Sequence, residues 1–196
     1  MVNKKDITGI ILAGGKSSRM GGTDKGFLKL NGKTFIEYSI EAIKPLVSQI
    51  MIVSNNPDYD VFKLKRVDDI IKDSGPLAGI YSGLQHSKTD YNLVLSCDIP
   101  LIKTGILEHL IEEQDGFHDV IQLVSNHKPM PLIAMYTKRC ETLFYEHLQN
   151  NERRLHVALS HLKVKNIVLL NSESELLTLN INTPEELKTL KYDIKH

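Results

Sequence analysis

Residues 7–15, Ile7-Thr8-Gly9-Ile10-Ile11-Leu12-Ala13-Gly14-Gly15, carry a short apolar run into a pair of glycines. The run is nearly continuous instead of alternating with polar residues, which is typical of a strand that helices cover on both faces. The glycine pair that follows is typical of a loop. Because open α/β sheets bind ligands beyond the carboxyl ends of their strands, this loop is the first place to search for function.

Further apolar runs predict strands along the rest of the chain, and helical patterns separate them. The predicted strands are Ile50–Val53, Leu93–Cys97, Val120–Val124, Leu132–Met135 and Val164–Leu170. One helix is predicted to begin at a capping box formed by Thr34 and Glu37, and Pro45 ends it. The last helix is predicted to begin at a second capping box, formed by Thr183 and Glu186. This alternation predicts an α/β protein with a mostly parallel, doubly wound sheet.

The composition is that of an ordinary globular protein of 196 residues, which is the size of one domain. Lys plus Arg and Asp plus Glu both number 24, so the formal net charge is zero and a dedicated nucleic-acid or membrane-surface binder is disfavoured. No apolar run approaches the ~20 residues that span a bilayer, and the N-terminal stretch is too short for a signal peptide. Cys97 and Cys140 form no disulfide or metal pattern, so we expect a reducing, cytoplasmic location.

The segment from Leu12 to Gly26 holds five glycines together with Arg19 and Lys25. Glycines let backbone N–H groups turn toward an anion, and the two cations would then neutralise phosphate charge. The loop is not a Walker A motif, because Ile10 stands where that motif needs a glycine, and no dinucleotide fingerprint fits either. A flexible glycine-rich turn with solvated cations is the alternative.

Asp98 follows the predicted strand Leu93–Cys97 and therefore faces the edge where ligands bind. Mg²⁺ at nucleotide sites is held by one or two carboxylates together with substrate phosphates, so one well-placed aspartate suffices. An aspartate that only satisfies backbone N–H groups in a turn is the alternative. The neighbouring Cys97 is expected to be a small core residue, since an adjacent acid disfavours its thiolate.

Three further segments place polar groups after a predicted strand or before a predicted helix. Asn55 follows a strand, where it would hydrogen-bond a base or a ribose, or else form an ordinary turn. Gly75 and Pro76 form a tight turn before a helix whose N-terminus would face anionic groups, or else the segment is a helix start beside exposed acids. Asn180 and Asn182 place two amides on one side of an extended segment before the last helix. The alternative is that this segment is only a capped helix start.

Four motifs, in this order along the chain, resemble those of the molybdenum cofactor guanylyltransferases. They are Leu-Ala-Gly-Gly with Arg-Met-Gly and Asp-Lys over residues 12–25, Gly-Pro-Leu-Ala-Gly at 75–79, Cys-Asp-x-Pro at 97–100 and Asn-x-Asn-Thr-Pro at 180–184. The resemblance extends from Ile7 to about Leu190. It implies a single three-layer, Rossmann-like nucleotidyltransferase domain over residues 1–196, in which the part before about residue 100 binds the nucleotide and the rest binds the acceptor.

The resemblance implies an enzyme that transfers GMP from GTP to the terminal phosphate of the molybdopterin (molybdenum) cofactor. The product is the molybdopterin guanine dinucleotide cofactor, pyrophosphate is released, and Mg²⁺ is the expected cofactor. A protein that delivers the finished acceptor is a further implied partner. Because the acceptor phosphate already carries a nucleophilic oxygen, no serine, cysteine or histidine nucleophile is needed, and catalysis is positioning plus charge stabilisation.

The resemblance also implies roles for the matched positions. The catalytic residues are Arg19 and Lys25, which contact the phosphates, and Asp98, which binds the metal. Asn180 and Asn182 support the metal and the phosphates. The expected nucleotide-binding positions are Leu12, Ala13, Gly14, Gly15, Lys25, Asn55, Asp68, Gly75, Pro76 and Asp98.

The acceptor side carries weaker signals. The family tends to have His-Pro before small and apolar residues, whereas this chain has proline at position 131 and His127 four places before it, so no role is assigned to that histidine. Arg153 and Arg154 would meet an anionic acceptor or simply begin a solvated helix.

Two alternatives stay open at the level of sequence. One is a different nucleotidyltransferase, using CTP with the molybdenum cofactor or a nucleoside triphosphate with a sugar phosphate. Cytidylyl enzymes resemble Leu-Ala-Ala-Gly in the first loop, whereas Gly14 stands at the third position here. The other is a GTP-binding adaptor without chemistry, which pyrophosphate formation would distinguish from an enzyme.

Overall fold

The computed structural model describes residues 2–14, 24–72, 74–169 and 172–193, in which strands and helices alternate. The strands are β1 Ile7–Leu12, β2 Lys29–Leu30, β3 Lys33–Thr34, β4 Gln49–Val53, β5 Lys65–Val67, β6 Tyr91–Ser96, β7 Val120–Ser125, β8 Lys128–Thr137 and β9 Val164–Val168. The α-helices are α1 Phe35–Ile43, α2 Gly75–His86, α3 Thr104–Glu112, α4 Cys140–Gln149, α5 Leu155–Leu159, α6 Ser172–Leu177 and α7 Pro184–Asp193. Short 3₁₀ turns lie at Lys4–Asp6, Lys25–Phe27, Lys44–Leu46 and Pro57–Phe62.

The large sheet has the strand order β5-β4-β1-β6-β8-β7-β9. Of these seven described strands, β8 runs antiparallel to both neighbours, and the other pairs are parallel. The prediction of a mostly parallel sheet is therefore confirmed. The chain runs outward from β1 to β4 and β5, and then returns to β6 on the other side of β1. The carboxyl end of β1 is thus the switch point at which such sheets bind ligands.

Strand β8 is longer than the sequence predicts. The apolar pattern predicts Leu132–Met135, whereas the strand covers Lys128–Thr137 and forms a hairpin with β7. The connecting turn uses Asn126 and His127, whose φ angles are +48° and +58°. Prolines at positions 129 and 131 precede the apolar run and argue against a longer strand, and the turn contains no glycine, so the sequence does not indicate the hairpin.

The two strands of this hairpin separate at a bulge. The pairing register of β8 against β7 jumps between Gln122 and Leu123, so residues 131–133 are looped out of this pairing. The hydroxyl of the buried Tyr136 donates to the backbone oxygen of Pro131 at 2.8 Å and holds the bulge in place. Bulges of this kind redirect side chains, and here the redirected side chains lie at the edge where the parallel strands end.

Helices cover both faces of the sheet, as the continuous apolar runs predict. Ile7 and Ile11 of β1 pack with α1 and α3, and Ile10 packs on the opposite face with α2 and α4. A smaller cluster buries Ile181 and Leu190, which fixes α7 against the start of α1. Among the described residues, none of the helices has both the length and the apolar character needed to span a membrane.

Candidate active site

A cleft of about 710 Å³ opens at the carboxyl ends of β1, β4 and β6. The chain leaving β1 is held there from both sides, because the Ala13 N–H donates to the Val53 oxygen and the Cys97 N–H donates to the Leu12 oxygen, both at 3.0 Å. The cleft walls include seven predicted nucleotide-binding positions, which are Leu12, Ala13, Gly14, Asn55, Gly75, Pro76 and Asp98.

Asp98 brings a carboxylate into this cleft directly after β6. Its Oδ2 lies 3.2 Å from the ammonium of Lys25, and its Oδ1 accepts from the Ser96 hydroxyl at 2.6 Å. The Asp98 backbone oxygen accepts from the Ile181 N–H at 2.9 Å. The carboxylate side chain is only 13% exposed, and the opposite charge of Lys25 offsets the cost of shielding it from water.

Lys25 joins three parts of the chain that the sequence singles out separately. Its ammonium donates to Asp98 at 3.2 Å and to the Oδ1 of Asn182 at 2.5 Å, and these partners are 73 and 157 positions away. An ammonium carries three donors. The two contacts made with described residues therefore leave one N–H for a phosphate oxygen.

The start of α7 fixes the segment that carries Asn182. The Oε2 of Glu186 accepts from the N–H groups of Asn182 and Thr183 at 2.5 and 3.1 Å, and the Glu186 N–H donates to the Thr183 hydroxyl at 3.2 Å. This contact pattern confirms the predicted capping box. Nearby, the amide oxygen of Asn180 is buried and has no hydrogen-bond partner among the described residues.

The two neighbouring acids at the end of β5 have different environments. Asp68, the predicted nucleotide contact, pairs with Arg66 and its side chain is 65% exposed. Asp69 instead lines the cleft, where its backbone N–H donates to the Oδ1 of Asn55 at 3.0 Å and its Oδ2 accepts from the Asn55 amide at 3.4 Å. The structure therefore brings Asp69, and not Asp68, to the cleft wall beside Asn55.

One carboxylate oxygen of Asp69 has no hydrogen-bond donor beside it among the described residues. Its Oδ1 is buried and lacks a hydrogen-bond partner within the described part of the chain. Burial raises the pKa of Asp69, and the charge of Asp68 raises it further. A Cβ added at Gly79 would lie 3.6 Å from this oxygen, so the glycine keeps space open beside it. A ligand that donates to Oδ1 would offset its desolvation.

The N-terminus of α2 faces the same cleft. Gly75 has a φ of +68°, which favours glycine, and Pro76 occupies the first turn, where its missing N–H costs nothing. The N-cap residue Ser74 does not cap the helix with its side chain, because its hydroxyl donates to the Lys72 oxygen at 3.1 Å. The Ser74 side chain therefore leaves the first N–H groups of α2 uncapped, and we expect them to meet an electron-rich ligand group.

Cys97 takes no part in the chemistry of the cleft. It is 3% exposed, and burial, together with the charge of Asp98, raises the pKa of its thiol well above the usual range. The prediction that it is a small core residue is confirmed. Within the described ranges, no group of three or more His, Cys, Asp and Glu side chains is arranged to hold a metal ion.

Two predicted site residues fall outside the described part of the chain, and two acceptor-side residues that were left without a firm role lie away from the cleft. Gly15 and Arg19 lie outside the residues that the structure describes. His127 is exposed in the β7–β8 turn, and the exposed Arg154 forms an ion pair with Glu152, with a distance of 2.9 Å between Nε and Oε1. The structure thus assigns neither side chain to the cleft wall.

The cleft also contains residues to which the sequence analysis assigned no role, among them Asp24, Ser96 and Leu132. Ser96 precedes Asp98 by two positions, and strand alternation could have identified it as lying on the same side. Leu132 reaches the cleft because of the bulge in β8, which has no sequence signal here. Asp24 stands beside Lys25, but two of its side-chain contacts come from a segment more than 30 residues away.

A glycine-bordered strand, a lysine and a shielded aspartate at the switch point of a parallel sheet define a Rossmann-like nucleotidyltransferase. The family described as the MobA-like NTP transferase domain matches residues 9–164, and the chain belongs to this family.

Its relatives carry a consistent name. The probable molybdenum cofactor guanylyltransferase of Flavobacterium johnsoniae is 38% identical over 96% of this chain and 98% of the relative. The molybdenum cofactor guanylyltransferase of Vibrio parahaemolyticus is 33% identical over 95% of this chain and 96% of the relative. The crystal structure of molybdopterin-guanine dinucleotide biosynthesis protein A from Archaeoglobus fulgidus superimposes with a TM-score of 0.81, at 25% identity, covering 96% of this chain and 98% of the other.

Proposed function

We propose that this nucleotidyltransferase transfers GMP from GTP to the terminal phosphate of the molybdopterin (molybdenum) cofactor. The products are the molybdopterin guanine dinucleotide cofactor and pyrophosphate. The observation that carries the proposal is the contact of Lys25 with both Asp98 and Asn182 beside a cleft at the sheet's switch point. The names of the relatives support the choice of donor and acceptor.

Base recognition is assigned to Asn55 and Asp69. Guanine presents adjacent N1–H and N2–H₂ donors, and a carboxylate accepts both. Adenine and cytosine present a single amino donor on the corresponding edge, so a carboxylate on the cleft wall, here that of Asp69, favours guanine. The backbone of Leu12, Ala13 and Gly14 is proposed to lie along the base and the ribose, since these residues form the adjoining wall.

The oxygen ligands in the cleft fit a Mg²⁺ ion that the substrate phosphates hold for the most part. A carboxylate offers about four acceptor positions, and the described contacts of Asp98 with Lys25 and Ser96 use two of them. Asp98 is the residue that would hold the ion, with phosphate oxygens and water completing its coordination. When bound, Mg²⁺ would supply charge neutralisation at the α-phosphate.

The reaction needs no nucleophile from the protein. An oxygen of the acceptor's terminal phosphate attacks the α-phosphorus of GTP, and the bond from that phosphorus to the oxygen bridging to the β-phosphate breaks. Pyrophosphate leaves with the electron pair of that bond. Lys25 donates to the phosphate oxygens that gain charge, and Asp98 with Asn182 hold its ammonium in position. Arg19, from the loop before Lys25, is proposed to share this task.

The acceptor is proposed to approach between β8 and the segment before α7. Leu132 gives this side of the cleft an apolar wall, and the unpartnered amide oxygen of Asn180 gives the adjoining segment an acceptor, as judged over the described residues. Both lie in the half of the chain to which the sequence assigns acceptor binding.

The proposal is tested by incubating the chain with GTP, Mg²⁺ and the molybdopterin cofactor, and by measuring pyrophosphate together with the mass of the dinucleotide product. Parallel reactions with CTP, and without acceptor, are the controls. Dinucleotide product and pyrophosphate formed with GTP and acceptor, but not with CTP or without acceptor, support the proposal. Product with CTP instead would assign cytidylyl transfer, and GTP binding without pyrophosphate release would indicate an adaptor.

A further inference from the structure

A buried tyrosine lies behind the segment that carries the lysine of the site. Tyr59, on the 3₁₀ turn Pro57–Phe62, is fully buried, and its hydroxyl donates to the Oδ1 of Asp24 at 2.5 Å. Asp24 immediately precedes Lys25 in the chain. The tyrosine therefore contacts the residue whose backbone leads directly into the lysine.

Asp24 is held by more than this one contact. Its Oδ1 also accepts from the Gly26 N–H at 3.1 Å, and its Oδ2 accepts from the Asn56 amide at 3.0 Å. Through the first of these bonds it caps the short turn Lys25–Phe27, as N-cap aspartates do. The carboxylate thus links the turn that bears the lysine to the segment that bears Tyr59.

The two segments are also packed without spare room. A Cβ added at Gly26 would lie 2.1 Å from the Tyr59 hydroxyl oxygen, so only glycine fits against this ring. The ring of Phe27 lies 4.6 Å from that of Tyr59, measured between centroids. The aromatic ring of Tyr59 therefore fixes the position of the turn that bears the lysine. The Tyr59 hydroxyl fixes the orientation of Asp24, the residue at which this turn begins.

Packing alone would not require a hydroxyl here. A phenylalanine would fill the same space, and it would not need a partner for a buried polar group. Burial, followed by the neighbouring Cys97 and Asp24, raises the pKa of Tyr59 far above its usual range, so the hydroxyl remains a proton donor to the carboxylate. The hydrogen bond adds orientation, which a phosphate-binding lysine needs.

We infer that Tyr59 is a positioning residue for Lys25, acting through Asp24. This inference rests on the proposed transfer function. Tyr59 does not touch the substrate; it fixes the backbone from which the lysine reaches the phosphates. Its loss should therefore lower kcat more than it raises the KM for GTP, because the lysine contact matters most as charge develops.

The test is a double-mutant cycle with Tyr59→Phe, Lys25→Ala and the combined variant. Tyr59→Phe keeps the ring and removes the hydroxyl, and we expect kcat to fall about 10-fold to 100-fold. In the Lys25→Ala background the same change should alter kcat by less than about 2-fold, since the group it positions is already gone. Tyr81→Phe is the matched control, because this buried tyrosine bonds only weakly, at 3.5 Å, to Gln85 on α2, and its loss should leave kcat unchanged.

A second readout needs no activity. The rate at which acetic anhydride acylates Lys25, measured by peptide mass spectrometry against Lys29, should rise about 3-fold or more in Tyr59→Phe and not in Tyr81→Phe, because a displaced ammonium is less engaged with its partners. An unchanged acylation rate would overturn the inference, and so would an equal loss of kcat in both backgrounds of the cycle. A wild-type chain that makes no product would contradict the transfer function alone, and the acylation rates would still decide the role of Tyr59.

Discussion

At the scale of single residues, the positive charge of Lys25 has two partners of different chemistry among the residues that the structure describes. The carboxylate of Asp98 neutralises the ammonium, whereas the amide oxygen of Asn182 only directs it. When a triphosphate binds, the lysine ammonium can donate to a phosphate oxygen and still keep its hydrogen bond to the Asn182 amide oxygen. The arrangement is preorganised, which is the property that makes an electrostatic contact useful in a transition state.

Replacing Lys25 by alanine should therefore reduce kcat by about 10²-fold to 10³-fold, the scale expected for one preorganised electrostatic group. Steady-state measurement of pyrophosphate release tests this expectation. Lys29→Ala removes an exposed lysine four positions away and should leave kcat unchanged. A loss below about 3-fold in Lys25→Ala would remove the lysine from the mechanism.

Replacing Asp98 by asparagine keeps the size of the side chain and removes its charge. We expect Mg²⁺-dependent turnover to be lost while the fold remains intact, because a neutral amide is a poor ligand for a hard divalent cation. Circular dichroism and a Mg²⁺ titration of activity are the measurements. Asp90→Asn, at the opposite end of β6, is the matched control. Normal activity in Asp98→Asn would contradict the metal assignment.

Asp69 is expected to select guanine. Asp69→Asn should lower the ratio of kcat/KM for GTP to that for ATP by about 10-fold, since a good bidentate contact discriminates by about 1–3 kcal/mol. Asp68→Asn is the internal control, because Asp68 pairs with Arg66 outside the cleft wall. If Asp68→Asn changes the ratio and Asp69→Asn does not, then Asp68 contacts the nucleotide, as the sequence predicted.

The same carboxylate makes selectivity depend on pH. Burial raises the pKa of Asp69, so protonation begins at a higher pH than for an ordinary aspartate. A protonated acid cannot accept from both guanine donors, and guanine preference should therefore weaken as the pH falls through this raised pKa. Competition between GTP and ATP across a pH series measures the effect, which should be absent in Asp69→Asn.

At the scale of elements, α7 connects stability to catalysis. Glu186 accepts from the backbone of Asn182 and Thr183, so the helix cap also sets the position of the amide that directs the lysine. A cap is normally a local device that satisfies free N–H groups at a helix start. Here one of those N–H groups belongs to a residue of the candidate site.

Glu186→Ala should lower the free energy of unfolding by about 1 kcal/mol, the usual value of a helix cap. It should also reduce kcat about 3-fold to 10-fold, because Asn182 loses one of its anchors. Thermal unfolding and initial rates are measured on the same preparation. Glu185→Ala, in the same first turn, should change neither quantity. An equal effect of both variants would show that the cap has no link to the site.

The helix caps and central strands could be predicted from sequence because their signals are local. Thr183 and Glu186 are three residues apart, and the apolar run of β1 is nearly continuous. The β8 bulge could not be predicted, since it depends on pairing with β7. The choice between Asp68 and Asp69 could not be predicted either, because strand β5 has only three residues and the chain leaves it in a loop.

At the scale of the whole molecule, attraction of a triphosphate depends on placement and not on net charge. The chain carries 24 cationic and 24 anionic side chains, so no net charge attracts an anion from a distance. The described polar groups of the cleft come from the ends of β1, β4, β5 and β6, from the turn at Lys25, from the start of α2 and from the segment before α7. Ligand binding should therefore stabilise the molecule as one unit.

Mg²⁺ with GTP should raise the midpoint of thermal unfolding by roughly 5–10 °C at ~100 times the Kd, corresponding to about 2.7 kcal/mol. ATP, CTP and UTP, each added separately, should give smaller shifts. The Lys25→Ala chain should show a reduced shift with GTP. A larger shift with CTP would move the assignment to cytidylyl transfer, and no shift with any nucleotide would contradict nucleotide binding in the absence of acceptor.

The bond between Lys25 and Asn182 spans 157 positions of the chain, which has a consequence for the order of events during synthesis. A ribosome makes Lys25 and Asp98 long before it makes Asn182. A nascent chain can therefore close its central strands and shape the nucleotide cleft while the lysine still lacks its directing amide. On the proposed mechanism, competence for group transfer arrives last, when the final helix docks, so a partly translated protein would hold a cleft but not yet a complete catalyst.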